Sequence, residues 1–592
     1  MPNFDIKLKT DLKDFQETTS KWMKDHERLY DGGMLCNEAG LGKSLSILNL
    51  IVSDSKMTLI VCPAGLVDNW MNEIKKHTTL SRLKTCKYHG PNREKININS
   101  FALIYITSYS TISKEFNYGK FDKSSLFNKI SFPRVVLDEG HSIRNTNTSI
   151  CKSILYLGDV NFNAKKWILS ATPIYNNIND TFSYFKFLQL EGIDNKKDWT
   201  QSITKSINGL HKLNEWMHKY SLAMKKENVL KELKTKNEKK VILKFKTIEG
   251  EFYECLRNYS HVRMKALVKR IDKLKGMYQD PQMKKLLQAS VMVYILRLKQ
   301  ACNSPWLILK NMERLKDSKN LSEAVDKLKY FNESKNVEEE CPVCYDTKAD
   351  YIAECGHKCC KKCWDSILKI SSSCPSCREF VDSVEPINNI VEKVKKVVSI
   401  DELQDNAKIE KVLELTKKAI LNNEKIVIVS QWVSYIDIIR HVFDKELPEV
   451  KYIKLQGSVS LKQRNLSIKE FESNVSLKIC FLSLTSSSEG ITLVSANHLV
   501  FMDSWWNKSK MIQASDRIHR IGQLKQVNIY FLQVENTIEE KIEELLVKKE
   551  KMSNLILNNW NIKDKEKYDD SWMKKVVQLL EPQQEENLNS SE

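Results

Sequence analysis

The sequence predicts an α/β protein with two parallel-sheet lobes, a helical insertion between them and a small zinc-bound domain. Three observations carry this. Short apolar runs that read as buried strands occur in two separate regions. A Lys-, Leu- and Met-rich stretch with helical spacing lies between them. Eight of the fifteen cysteines then fall between Cys341 and Cys377.

The first lobe shows the runs 58-TLIVC-62, 102-ALIYI-106 and 134-RVVLD-138, each ending at Pro, Ser/Thr or Asp. Continuous apolar runs of this length fit strands covered on both faces, as in parallel sheets flanked by helices. The texture returns in 425-KIVIVS-430, 451-KYIKL-455, 478-KICFLSL-484 and 498-HLVFMD-503. Between the lobes, 253-YECLRNYSHVRMKALVKRIDKLKGMY-278 has helical spacing. The segment 537-TIEEKIEELLVKKEKMSNLIL-557 reads as an amphipathic helix, acidic early and basic late, as the helix dipole favours. The predicted units are lobe one at 1–204, the helical insertion at 205–335, the zinc domain at 336–382, a linker at 383–407, lobe two at 408–560 and a tail at 561–592.

Composition narrows the class. The chain has 592 residues and 93 Lys+Arg against 75 Asp+Glu, a formal net charge of +18. An apolar fraction of 42% supports real cores. No run approaches the roughly 18 apolar residues of a membrane span, and the first residues lack the apolar core of a secretory signal, so a membrane partner is not expected. The basic excess points toward an acidic polymer, most simply nucleic acid, although many basic chains are only Lys-rich on a solvated surface. Cysteines crowded into one short segment of a long chain read as a metal site, not as a disulfide framework.

The segment 37-NEAGLGKS-44 follows an apolar approach and precedes a helical run. It fits the phosphate-loop pattern at Gly42, Lys43 and Ser44, with Asn37 in place of the first glycine. Asn tolerates unusual backbone angles, which predicts that the loop survives the change. Gly40 and Gly42 allow backbone N–H groups to wrap phosphate oxygens at a helix N-terminus. Lys43 is expected to reach the β/γ-phosphates of ATP, and Ser44 to bind Mg²⁺. The carboxylate such a cation needs is supplied by 134-RVVLDEGH-141: Asp138 to hold Mg²⁺, and Glu139 to orient or deprotonate the attacking water.

GLGKS and DEGH together resemble motifs I and II of superfamily-two helicases, and the surrounding segments resemble the Swi/Snf branch of DNA translocases. In 12-LKDFQETTSKWM-23 the resemblance places Gln16 to read adenine. It also covers 60-IVCPAGLVDNWMNEIKK-76 (motif Ia), 107-TSYSTI-112 (Ib) and 170-SATPIYNN-177 (III). In the second half it covers 425-KIVIVSQWVSYIDII-439 (IV), 455-LQGSVSLKQR-464, 482-LSLTSSSEGITL-493 (V) and 503-DSWWNKSKMIQASDRIHRIGQ-523 (VI). It implies RecA-like lobes and ATP-driven movement on double-stranded DNA.

Motif VI has a physical reading. Phosphoryl transfer spreads negative charge over the γ-phosphate oxygens, and a fixed guanidinium there is worth about 10³–10⁵ in rate. Arg517 and Arg520 are three apart, which on a helix puts them on one face. Supplied by lobe two to a nucleotide on lobe one, they make hydrolysis depend on lobe closure. The resemblance implies that Gln513 contacts nucleotide or bridges the lobes and that Gly490 belongs to the nucleotide site. Three departures stand out. Asn37 replaces an Asp, Gly140 replaces an Ala, and Ser487 and Ser488 replace glycines of motif V.

The cysteine cluster runs Cys341-x₂-Cys344-x₁₀-Cys355-x-His357-x₂-Cys360-x₂-Cys363-x₁₀-Cys374-x₂-Cys377. Seven Cys and one His suffice for two tetrahedral Zn²⁺ ions. The order resembles a RING finger, whose cross-brace assigns Cys341, Cys344, Cys360 and Cys363 to one ion and Cys355, His357, Cys374 and Cys377 to the other. Cys359 is left as core packing. The resemblance implies docking of a ubiquitin-conjugating enzyme at Val343, Ile367 and Pro375, with Arg378 positioning ubiquitin.

A RING inside a Swi/Snf ATPase resembles the Rad-five-like branch, without the N-terminal DNA-end-binding module of some relatives. The run 293-VYILRLKQACNSPWLIL-309 fits that branch. DNA contact is expected from motifs Ia, Ib and V, Asn176, 505-WWN-507 and lysines within 224–240 and 261–285, through sequence-independent phosphate contacts. The expected activity is a DNA translocase joined to a RING ubiquitin ligase in repair, fork tolerance or transcription. The expected location is the nucleus, or a viral compartment for a large DNA virus. The competing readings are a ligase scaffold with a regulatory ATPase, a transcription-release ATPase and an RNA helicase.

Overall fold

The computed structural model describes residues 6–80, 84–90, 93, 102–173, 178–190, 193, 195–206, 208–261, 281–309, 325, 341, 343–344, 347, 349–353, 358–369, 373–375, 381, 384–386, 406–457, 459, 461–484, 491–505, 508–544 and 547.

Lobe one is built on seven parallel strands. They are β1 (Gly32–Leu35), β2 (Thr58–Cys62), β3 (Thr85–Lys87), β4 (Ile104–Ser108), β7 (Arg134–Asp138), β8 (Lys165–Leu169) and β9 (Ser221–Leu222), in the order β3-β4-β2-β7-β8-β1-β9. A two-stranded hairpin, β5 (Phe116–Asn117) and β6 (Lys120–Phe121), stands apart from this sheet. On β2, Leu59 and Val61 enter one core while Ile60 and Cys62 enter the other. A strand buried on both faces favours apolar residues at successive positions, which is why the run from Leu59 to Cys62 is unbroken.

Lobe two repeats the design. Its six strands, all parallel, are β10 (Asn237–Leu243), β14 (Ile426–Ser430), β15 (Lys451–Leu455), β16 (Leu477–Ser483), β17 (His498–Phe501) and β18 (Asn528–Val534). The order is β10-β18-β17-β14-β16-β15. Val427 and Val429 pack on one side of this sheet, Ile426 and Ile428 on the other.

The segment expected as a helical insertion from 205 onward is not wholly helical. The helix Gly209–Tyr220 leads into β9, which pairs with β1 of lobe one. Fifteen residues later β10 pairs with β18 over seven positions, inside the sheet of lobe two. β10 is an edge strand with four exposed charged or polar residues before Val241, so it lacks the apolar run that marks the other strands. Helical structure then resumes at 247–261 and at Pro281–Asn303.

The zinc domain holds a small antiparallel sheet, β12 (Lys358–Cys359), β11 (Tyr351–Ala353) and β13 (Val384–Pro386), and one helix, Lys361–Leu368. Tyr294 of the helix Pro281–Asn303 donates its hydroxyl to the Cys344 carbonyl at 2.6 Å. The zinc domain is thereby tied to the helix that precedes it in the chain. Among the described residues no helix is long and apolar enough to cross a membrane.

Candidate nucleotide cleft and metal centre

The phosphate-loop segment lies between β1 and the helix Lys43–Asp54. Gly40 and Gly42 both have left-handed backbones, with φ of 89° and 80°. A Cβ on Gly42 would lie 2.4 Å from Gln16 Nε2, and one on Gly40 would lie 3.2 Å from the Arg520 Cβ. Both glycines are therefore fixed by close approach as well as by backbone angle. Gln16 is buried; its Nε2 donates to the Leu41 carbonyl at 3.3 Å, and its Oε1 accepts from the Lys13 N–H at 3.1 Å. Lys43 Nζ donates to the carbonyls of Asn37 at 2.7 Å and Glu38 at 3.3 Å. Burial lowers the Lys43 pKa, against the opposing charges of Glu139, Asp138 and Asp516. Ser44 is half-buried in the first turn of the helix.

Asn37 does not use the backbone freedom expected of it, since it is not among the residues of positive φ. Its side chain does the bracing. Oδ1 accepts from the Met224 N–H at 2.9 Å, and Nδ2 donates to Thr19 Oγ1 at 3.4 Å. Thr19 spends its own proton on the Phe15 carbonyl at 2.8 Å.

The acidic end of β7 is enclosed. Burial, and then the Glu139 charge, push the Asp138 carboxyl up to about 6. Trp70 Nε1 donates to its Oδ2 at 2.8 Å, and the Glu139 N–H to its Oδ1 at 3.0 Å. Tyr109 donates its hydroxyl to the Asp138 carbonyl at 2.8 Å. Glu139 itself has φ of 51°, a strained backbone for a non-glycine residue that re-aims its carboxylate. Burial raises the Glu139 pKa, but His141 at 3.2 Å, Lys43 and Arg517 outweigh it and hold the carboxyl below its ordinary value. Gly140 is explained by its neighbour: a Cβ there would lie 2.2 Å from Ile168 Cγ2 on β8.

Lobe two delivers its arginines to this cleft. The helix of motif VI ends at Ser515, before either arginine. The expectation that both lie on one helix face is corrected: they sit on the turns that follow, held by Arg517 N–H to the Ala514 carbonyl and His519 N–H to the Ser515 carbonyl. Arg517 is buried, and its charge reaches Glu139. Arg520 donates to Thr492 Oγ1 at 2.8 Å. Gln513 is buried beside them, with its Oε1 lacking a partner among the described residues. Gly490 lies outside the described residues.

Several residues of the cleft escaped the sequence reading. Trp70 lies inside the motif Ia resemblance, but nothing there assigns it to Asp138. Lys226 and Asp516 form a buried ion pair between the two halves of the molecule. Lys226 falls among the lysines of 224–240 expected to contact DNA. For this residue that expectation is corrected, because its ammonium is buried in the ion pair, and no local signal separates it from its neighbours.

In the zinc domain, the sulfurs of Cys341, Cys344, Cys360 and Cys363 all lie within 4.8 Å of one another. Four thiols at this spacing cannot all ionise without a cation among them, and tetrahedral Zn²⁺ suits four thiolates. Cys360 is the N-cap residue of the helix Lys361–Leu368, which places Cys360 and Cys363 together at its N-terminus. The Cys344 Sγ lies 3.5 Å from Thr347 Oγ1. Cys359 is fully buried, as core packing requires. Cys374 is buried, while the other three members of the second set, Cys355, His357 and Cys377, lie outside the described residues. Val343 and Ile367, expected at a docking surface, are each 3% exposed and pack with Trp364 in the core of this domain. Pro375 is half-buried, and Arg378 lies outside the described residues.

Of the expected DNA contacts, Asn176, Trp506, Asn507, the motif V residues 485–490 and most of 261–285 lie outside the described residues, whereas Trp505 is half-buried against the core of lobe two.

Comparison with known proteins follows the same layout. Residues 15–307 match the SNF2-related domain, residues 407–522 the helicase conserved C-terminal domain, and residues 340–377 the C3HC4-type RING finger. An uncharacterized ATP-dependent helicase of Schizosaccharomyces pombe is 28% identical over 90% of this chain and 59% of its own length. The DNA repair protein RAD5A of Arabidopsis thaliana is 26% identical over 83% of this chain and 50% of its own. The DNA repair protein RAD5 of Saccharomyces cerevisiae is 26% identical over 88% and 53%. The chain thus spans about half the length of these relatives. A solved SWI2/SNF2 ATPase core of Sulfolobus solfataricus in complex with dsDNA aligns with 97% of this chain and 99% of that one, at 21% identity and a TM-score of 0.37. The chain belongs to the SNF2 family, in its RING-bearing, Rad5-like branch.

Proposed function

We propose that this chain is a DNA-dependent ATPase that moves along double-stranded DNA and carries a RING module for ubiquitin transfer, acting in DNA repair. The observation that carries the reading is the meeting of Arg517 and Arg520 from lobe two with the loop of Lys43 and the Asp138–Glu139 pair of lobe one. The two halves of a phosphoryl-transfer site come from different lobes, so closure and hydrolysis are coupled.

Each residue then has a role. The loop at Gly40 and Gly42 cradles phosphate with backbone N–H groups, and Lys43 supplies positive charge to the β/γ-phosphates. Gln16 stands over the loop toward adenine. Asp138 and Ser44 would hold Mg²⁺, which would supply neutralising charge to the phosphates. The environment of Asp138 fits a cation: two adjacent half-buried carboxylates, the pKa of one raised to about 6, leave a site that a divalent ion would satisfy. Glu139, held ionised by His141 and Arg517, orients and deprotonates water. Arg517 and Arg520 stabilise charge on the γ-phosphoryl group, and Gln513 faces the same space.

For the RING, the proposal is two Zn²⁺ ions. One is held by Cys341, Cys344, Cys360 and Cys363, the other by Cys355, His357, Cys374 and Cys377. Its partners are a ubiquitin-conjugating enzyme and ubiquitin. The Rad5-named relatives support a nuclear protein. Purified protein should hydrolyse ATP faster with duplex DNA than without it, and Lys43→Ala should abolish turnover. An ATPase rate indifferent to duplex DNA overturns the motor reading. Autoubiquitination lost in Cys341→Ser with the ATPase intact supports two separable modules.

A further inference from the structure

We infer that Lys226 is a positioning residue for the arginines of lobe two, and that it does so by neutralising Asp516. The inference rests on the ATPase reading above and assigns a role to a residue outside every motif of that reading.

Lys226 lies just after β9, where the chain leaves lobe one. Its backbone N–H donates to Glu38 Oε2 at 2.8 Å, which fixes it to the phosphate loop. Its side chain then crosses to lobe two. Nζ pairs with Asp516 Oδ1 and donates to the His519 carbonyl at 2.7 Å. Both side chains are enclosed, with 6% and 9% exposure. The Lys226 Cε lies 3.5 Å from where a Cβ on Gly40 would stand, so the aliphatic stem runs over the loop.

These contacts bracket the arginines. Asp516 immediately precedes Arg517, and His519 immediately precedes Arg520. One ammonium therefore holds the turn that carries both guanidinium groups, and it holds it to the phosphate loop. A second argument concerns charge. Asp516 is close enough to affect Lys43, Arg517 and Arg520 electrostatically. A free carboxylate at that point would compete for the cations meant for phosphate. Pairing with Lys226 removes this competition. A buried ion pair is weak evidence for stability as such, because desolvation offsets much of its attraction. Its better-attested use is to fix register, and here the register is that of one lobe on the other.

The test uses the full chain with Lys226→Met, Lys226→Gln, Asp516→Asn and the Lys226→Met/Asp516→Asn pair. Steady-state ATPase with duplex DNA should show kcat down about 10²-fold in Lys226→Met, since a displacement near 1 Å at a reacting group costs that much. KM for ATP should change far less, because the phosphate loop itself is intact. Lys226→Gln keeps hydrogen-bond donors without the charge and should fall between wild type and Lys226→Met. The double variant should recover part of the loss, since the orphaned carboxylate is gone. A readout independent of turnover is the distance between fluorophores on unnatural amino acids at exposed Phe162 and Val475, measured without nucleotide; in Lys226→Met its distribution should broaden. A wild-type kcat together with an unchanged distance distribution in Lys226→Met overturns the inference. So does a double variant as impaired as the two single losses combined. If the wild-type chain hydrolyses no ATP, the ATPase reading fails, and the distance measurement still decides whether Lys226 joins the lobes.

Discussion

Trp70 donates its indole N–H to the carboxylate of Asp138 across 2.8 Å. The donor comes from the helix after β2 and the acceptor from the end of β7, two strands that lie side by side. The bond lowers the Asp138 pKa against a burial effect that raises it to about 6. Folding therefore takes up a proton at Asp138. The stability this contributes is present below the ordinary value of 3.8 and is lost as pH rises through about 6. Cation binding has the opposite sign, since it needs the ionised carboxyl. Mn²⁺ affinity, read by electron paramagnetic resonance, should fall roughly tenfold per pH unit below 6. Trp70→Phe should move that edge to higher pH; an edge that stays in place refutes the role given to Trp70.

Gly140→Ala should destabilise lobe one. The added Cβ would lie 2.2 Å from Ile168 Cγ2, on a β-branched side chain buried in β8. Overpacking of this kind costs about 1–3 kcal/mol. Adding Ile168→Ala makes room, so the double variant should melt above the sum of the two single losses in a thermal scan.

Asn37→Asp is nearly isosteric and returns the residue usual at this position, yet it should be harmful. Thr19 has already given its proton to the Phe15 carbonyl and needs a donor from residue 37. A carboxylate offers only acceptors, so a buried pair of lone pairs would face each other. The expected cost is about 1–3 kcal/mol in urea unfolding. A neutral result would mean that the Asn37–Thr19 contact carries no weight.

Cys341→Ser should lower bound zinc by about one equivalent per chain in elemental analysis, because it removes one of four thiolates from a closed structural site. Metal and folding are linked in so small a domain, so the Trp364 fluorescence of the zinc domain should change with it. Zinc content equal to wild type would remove Cys341 from the ligand set.

The strands with continuous apolar sequence were legible. TLIVC, RVVLD and KYIKL fall on β2, β7 and β15 to the residue, while ALIYI lies two residues ahead of β4. TLIVC and RVVLD are visible because both faces of each strand are covered, whereas β15 is an edge strand with Lys451 exposed and only Ile453 and Leu455 buried. β10 was not legible, since its residues from Asn237 to Lys240 are exposed and three of them are charged. The phosphate loop and the acidic pair could be read because their chemistry dictates residue types at fixed spacing. Trp70 and Lys226 could not, because each acts on a partner brought near only by the sheet or by the meeting of the lobes. The arginines of motif VI were assigned to a helix that stops two residues before the first of them. Spacing alone does not distinguish a helix from the run of turns that continues it.

The pairing of β10 with β18 also dictates an order of assembly on the ribosome. β10 leaves the exit tunnel before the RING and the rest of lobe two, and its partner is the last strand of that lobe to be made. Until Asn528–Val534 arrives, β10 waits without a neighbour. An open strand edge invites pairing with other chains, and lysines on such an edge discourage it. Lys239 and Lys240 stand on that waiting edge, exposed. Synthesis halted ahead of β18 would leave lobe one able to close its own sheet and lobe two unable to, a nascent chain half finished and suited to recognition by chaperones.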